Sequence, residues 1–226
     1  MRLPITLALP LLLFAHLSAQ PLRRPVTIGG GMEIGVPFGE FGDSWGKEML
    51  GLSGNFTVPM GILPFDYGFD FAWARMGGEK DDVHVNEEYI ESTEGRLAVN
   101  SNIYGYHGLL RLKPFTGKVS PYIEGMAGVR QFTTHTSLTV DGVDDPLMEQ
   151  RNTNDFVFSH GLAAGIQVAP SKVFYIEGRV ERLEGGKVTY VDPGSIEIDP
   201  AGNVTYGTLT SGTHVVNVHL GIGFKF

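Results

Sequence analysis

His135 and Ser137 stand two residues apart, so on a β-strand they would share one face, and Glu149 follows in the same region of the chain. A histidine base, a hydroxyl nucleophile and an orienting carboxylate are the parts of an acyl hydrolase. The flanking Thr134, Thr136 and Leu138 add nothing to such a site, and no oxyanion-hole element accompanies it. A second set consists of opposed charges. Glu177, Arg179 and Glu181 alternate with Ile176, Gly178 and Val180; Glu124 and Arg130 share a face of another alternating stretch, and Glu33 adds a further carboxylate. Charges of both signs on one face neutralise one another where water is excluded, so this set suits a filled polar interior better than a reaction. A third set is acidic: Glu79, Asp81, Asp82, Glu87, Glu88, Glu91 and Glu94 between 77 and 96, then Asp141, Asp144, Asp145 and Glu149, then Asp192, Glu197 and Asp199. Such oxygens suit Ca²⁺ or Mg²⁺, but their spacing follows no ordered ligand loop, and solvated acidic loops are the plainer reading. There is no GxSxG, HExxH or phosphate loop, and nothing asks for a cofactor.

The elements that would carry these residues are strands. Apolar residues alternate with small or polar ones almost throughout, which is the strand period. Eight stretches emerge: 26–37, 49–58, 65–76, 97–112, 122–132, 156–169, 173–183 and 213–226. Each is long enough for a tilted strand to cross a bilayer, which takes about 9 to 11 residues. In the third, Phe65, Tyr67, Phe69, Phe71 and Trp73 share one face against Asp66, Gly68, Asp70 and Ala72. A row of aromatics facing water would invite aggregation; facing lipid it is ordinary. In the sixth, Phe156, Phe158, Leu162, Ala164, Ile166 and Val168 form the apolar face, interrupted by His160. Connections after the second, fourth and sixth stretches are short and carry proline, at Pro59 and Pro64, Pro114 and Pro121, and Pro170, whereas the others are longer. Short turns at one end and long loops at the other are the pattern of an outer-membrane barrel.

The ends agree with that pattern. Met1 and Arg2 precede an apolar run to Leu17 closed by Ser18-Ala19-Gln20, which predicts a secretory signal at residues 1–19 and a barrel domain over 20–226. The chain has no cysteine, so its stability comes from pairing and packing. Its formal charge of -8 argues against nucleic acid as a partner. At the other end Val216, Val218, Leu220, Ile222, Phe224 and Phe226 alternate with Asn217, His219, Gly221, Gly223 and Lys225.

The terminal GIGFKF, the stretch PYIEGMAGVRQF and the charged ladder YIEGRVERLEG resemble the small outer-membrane barrels typified by OmpX and by the membrane domain of OmpA. That resemblance implies an all-β, transmembrane, up-and-down antiparallel barrel of about eight strands with a side-chain-filled interior. It also implies an assembly signal at Phe224 and Phe226 read by the barrel-assembly machinery, and a surrounding of outer-membrane lipid and lipopolysaccharide. The expected role is non-enzymatic: envelope integrity, adhesion or binding of a surface ligand that the residues do not identify. Separately, His135-x-Ser137 with Glu149 downstream resembles the lipid A deacylase family, which would make the protein an acyl hydrolase acting on lipid. A narrow channel or carrier for small molecules is the third possibility. A polar residue at Phe226 should lower assembly into the outer membrane far more than the same change at Lys225, measured as the folded fraction in membrane extracts; equal insertion would count against the assembly signal.

Overall fold

The computed structural model describes residues 24–87, 90–140, 148–192, 195, 197–198 and 204–226; the expected signal segment lies outside them. Eight strands close into a barrel: β1 (Thr27–Pro37), β2 (Met49–Pro59), β3 (Phe65–Glu87), β4 (Ile90–Leu112), β5 (Val119–Val140), β6 (Met148–Val168), β7 (Phe174–Gly185) and β12 (Val215–Lys225). Each pairs antiparallel with its neighbour, and β1 meets β12 from Thr27 opposite Lys225 to Pro37 opposite Val215. A short helix, α1 (Glu40–Ser44), follows β1. The connection from β7 to β12 holds β8 (Lys187–Val191) paired with β11 (Thr208–Gly212), and β9 (Glu197–Ile198) paired with β10 (Val204–Thr205).

The alternation expected from the sequence sets which residues face which solvent. Leu162 is 73 % exposed and Leu220 67 %, while Glu177, Arg179 and Glu181 are at most 2 % exposed. Phe156, Phe158, Ile166, Val180 and Ile222 also point outward, and His160 shares that face, its ring stacked on Phe158. An apolar exterior around a charged interior inverts the order of a water-soluble fold and suits a barrel immersed in hydrocarbon.

Much of the two stretches read as acidic loops is strand, while Glu88, Asp141, Asp144, Asp145 and Asp199 lie outside the described residues. β3 and β4 stay paired up to Glu87 opposite Ile90, and β5 and β6 up to Leu138 opposite Met148, so four strands of 21 to 23 residues form a sheet that outgrows the barrel wall. Val83 and Val85, and Thr133, Thr134, Thr136 and Thr139, are β-branched residues that favour a pleated backbone. The acidic residues among them drew the reading toward solvated loops, although β-branched content points to a strand.

A lysine at Ile166 or Leu220 should destabilise the inserted barrel by about 2 to 4 kcal/mol if the position lies at mid-bilayer, measured by reversible unfolding from lipid vesicles. Unchanged stability of both variants would mean that these faces do not meet lipid.

Candidate functional site

Inside the barrel every wall strand contributes to one polar network. Arg179 on β7 is its hub: Nη1 lies 2.8 Å from Asp70 Oδ2 and 3.2 Å from Glu124 Oε1, and Nη2 lies 3.2 Å from Glu181 Oε2 and 3.9 Å from Glu33 Oε2. Below it Arg111 places Nε 2.8 Å from Glu124 Oε2 and Nη2 3.3 Å from Glu177 Oε1, with its guanidinium 3.9 Å above the Tyr122 ring. The Tyr122 hydroxyl donates to Glu177. Asn55 and Gln167 also donate to Glu177, Asn217 donates to Glu181, and Lys113 donates to Gln167 at 2.6 Å. Carboxylates from five positions thus surround two guanidinium groups, and each of these seven charges has a partner of opposite sign.

The geometry refines the expected set of Glu124, Arg130, Glu177, Arg179 and Glu181. Arg130 is buried on the same face of β5 as Glu124, but six residues along a strand separate them by roughly 20 Å. Its Nη1 instead donates to Thr213 O at 2.7 Å, and its guanidinium lies 5.3 Å from the Phe132 ring centre. Glu124 takes Arg111 and Arg179 as partners. Arg111 and Asp70 were not in the expected set, although alternation had placed Asp70 opposite the aromatic face of β3. Arg111, between the outward-facing Leu110 and Leu112, carried the same signal.

Above the network the barrel mouth is closed. Phe41 of α1 is fully buried, edge-on to Phe132 at 6.3 Å and to Tyr190 of β8 at 5.8 Å, and Trp45 packs edge-on to Tyr190 at 5.9 Å. Met49, Met76, Leu183, Val188 and Val215 belong to the same apolar cluster. Phe38, Phe41 and Trp45 recur at helical spacing, a signal in the sequence that marks α1. At the cluster's rim Glu40 accepts a hydrogen bond from the Gly212 N–H at 3.0 Å; that bond and Lys187 at 3.9 Å hold the carboxyl below its ordinary pKa.

The hydrolase candidates fall elsewhere. β5 keeps an unbroken register with β4 through Thr134, so His135 and Ser137 stand on the side opposite the buried Thr134, and both are half-buried. On the neighbouring strand Arg151 lies opposite His135 and Glu149 opposite Ser137; the Glu149 side chain is outside the described residues. Sixteen residues along β5 from Val119 put His135 roughly 40 Å up the tilted strand, above an apolar band of about 25 Å. Among the described residues no hydrogen bond joins His135 to Ser137. Two other histidine–serine pairs do have the contact of a base and a hydroxyl: His107 Nε2 with Ser159 Oγ, and His219 Nδ1 with Ser53 Oγ, each at 2.6 Å. Both are buried in the lumen, and the second ring nitrogen of each histidine lacks a hydrogen-bond partner among the described residues. Among the described residues neither histidine has a carboxylate on its second ring nitrogen. Among the described residues no group of His, Asp or Glu is arranged to hold a metal ion.

Replacing Arg179 by Ala leaves four carboxylates around a gap and should destabilise the barrel by about 3 to 5 kcal/mol, read from detergent or vesicle unfolding. Planar bilayers holding the unaltered protein should show no large, stable conductance, and such a conductance would reject the plugged lumen.

No family model and no curated protein matches the chain. Solved structures do. The chain is similar to Ail, the attachment invasion locus protein of Yersinia pestis, at 16 % identity over 91 % of this chain and 100 % of that one, with a TM-score of 0.49. It is similar to the outer membrane protein OprG from Pseudomonas aeruginosa, at 15 % identity over 90 % and 96 % of the two chains, TM-score 0.46. It is also similar to Neisserial surface protein A, at 9 % identity over 89 % and 97 %, TM-score 0.45. At these identities the likeness is one of fold, the closed antiparallel barrel described above.

Proposed function

We propose that the chain is a non-enzymatic outer-membrane protein whose plugged barrel serves as a rigid pedestal, presenting a raised β-sheet for adhesion or for binding partners at the cell surface. The observation that carries this reading is the continuation of β3 to β6 beyond the wall. Pairing of β2 with β3 ends at Leu50 opposite Arg75, so from Gly77 to Glu87 β3 is paired on its β4 side, with register shifts at Met76 and Asn86, while Trp45 lies against Gly77 near the base of its other edge. Higher up, no strand among the described residues pairs with that edge, and its main-chain donors and acceptors suit an extended segment of a partner added as a further strand. Two features support a pedestal over a channel: the paired charges that fill the lumen and the aromatic cluster over its mouth. The outer membrane is favoured by the apolar exterior, by the short turns at one end and by the signal-like start of the sequence.

The acyl-hydrolase reading keeps one observation in its favour, the register that sets Ser137 opposite Glu149. Its weakness is height, since the pair stands above the level at which lipid ester bonds lie.

The test compares cells displaying the intact protein with cells displaying a barrel in which residues 78–95 are replaced by a tight turn. Both proteins should fractionate with the outer membrane and migrate differently on a detergent gel before and after boiling, because a closed barrel resists unfolding. Capture on immobilised extracellular-matrix proteins should occur for the intact protein and fall to background for the trimmed one. Equal capture by both would remove the sheet from the function. A changed lipid A acylation pattern that disappears with Ser137→Ala would install the hydrolase instead.

A further inference from the structure

On one side of the barrel the outward positions are unusually small. Gly108 of β4 and Gly125 and Ala127 of β5 form the floor of an open trough of about 920 Å³ bordered by Leu110 and Leu162. It runs into a second trough of about 570 Å³ that reaches Leu112 and Ile123, so the depression follows most of the apolar height of the wall. The backbone does not require its two floor glycines. Neither has a positive φ, and a Cβ at Gly108 or Gly125 would meet its nearest neighbour at 3.8 or 3.9 Å, an ordinary contact. Inward-facing Gly128 and Gly161 differ, because a Cβ there would lie 1.9 and 2.0 Å from a carbonyl oxygen across the sheet. The barrel can therefore close with side chains on the trough floor, and the open shape belongs to the surface.

The upper end of the trough is polar: His160, Arg182 and Glu184 border it on a face otherwise apolar. Arg182 lies eight residues along β7 from Phe174, and His160 eight along β6 from Val168. With about 3.3 Å per residue and a tilt near 40°, both stand roughly 20 Å up, near the upper edge of a band of about 25 Å, at head-group level. Arg182 Nη2 donates to Glu184 Oε1 at 2.9 Å, and its guanidinium lies 4.9 Å from the Phe38 ring centre. These contacts orient the guanidinium, yet the side chain remains 62 % exposed and only one of its five N–H donors is engaged by Glu184. An oriented cation with free donors above an apolar trough is complementary to an amphiphile with an anionic head and an acyl tail.

We propose that this trough seats one acyl chain of a lipopolysaccharide molecule, with a head-group phosphate bonded by Arg182 and His160 at the rim. The proposal rests on the outer-membrane reading, in which the end of the barrel opposite the short turns faces the outer leaflet; that orientation selects lipopolysaccharide over an inner-leaflet phospholipid.

The test reconstitutes the purified barrel in vesicles containing equal amounts of lipopolysaccharide and phosphatidylethanolamine, strips loosely held lipid with detergent, and counts what remains by native mass spectrometry. One lipopolysaccharide per barrel is expected. Retention should fall about tenfold in Arg182→Gln, the loss of one charge-assisted contact. It should fall likewise in the doubly filled Gly125→Leu, Ala127→Leu barrel, with the gel shift on boiling preserved in both variants. A barrel with a normal gel shift that retains no lipopolysaccharide, or holds phospholipid equally well, or keeps its lipopolysaccharide when the floor is filled, overturns the proposal and leaves the outer-membrane reading intact. An unaltered chain that shows no gel shift and does not enter vesicles overturns that reading, and the lipid site with it.

Discussion

Hydrocarbon offers no partner to a backbone amide, and that constraint governs this molecule. β1 must find β12 so that no strand edge faces lipid within the wall, and the pairing that achieves this runs the full length of both strands. Once the wall is closed, successive side chains fall alternately outward and inward, and the two sides face opposite solvents. The outward set can be almost any apolar residue. The inward set is enclosed in a narrow space with little water, so every charge placed there needs a counterpart on another strand. Arg179 meets this need by reaching carboxylates of three other strands, β1, β3 and β5, besides Glu181 of its own β7. The network therefore ties together strands that are not neighbours in the wall.

The same constraint explains what was legible in the sequence. A period of two is all that is needed to separate Phe69 and Phe71 from Asp70, or Ile176 and Val180 from Glu177 and Arg179, and the wall strands could be read from it. Partner choice was less legible. Glu124 and Arg130 share a face, but pairing in a barrel runs across the lumen, and which residue faces which depends on strand tilt and register, neither of which appears in a one-dimensional pattern. Arg111 and Asp70 entered the network for that reason. The strands above the wall were missed because their acidic residues interrupt the apolar alternation that marks the wall, and only their β-branched content signals a strand.

The candidate chemistry was legible as a list of residue types, and its geometry was not. His135, Ser137 and Glu149 do fall on adjacent strands, as their spacing allows. The histidine–serine contacts of catalytic length instead lie inside the barrel, between residues 52 and 166 positions apart in sequence, where no local motif could have announced them. Their burial shows why contact alone does not make a nucleophile: an attacking hydroxyl needs room for a substrate, and the polar lumen is filled and its mouth covered.

The aromatic cluster over that mouth also limits how the protein can change over generations. Phe41 and Trp45 from the first loop, Tyr190 from the last, and Phe132 from the wall share one packed core, so a substitution in either loop alters the surroundings of the others. A change in the first loop is therefore tolerated only with a matching change in the last, so the two loops, far apart in sequence, can drift only together.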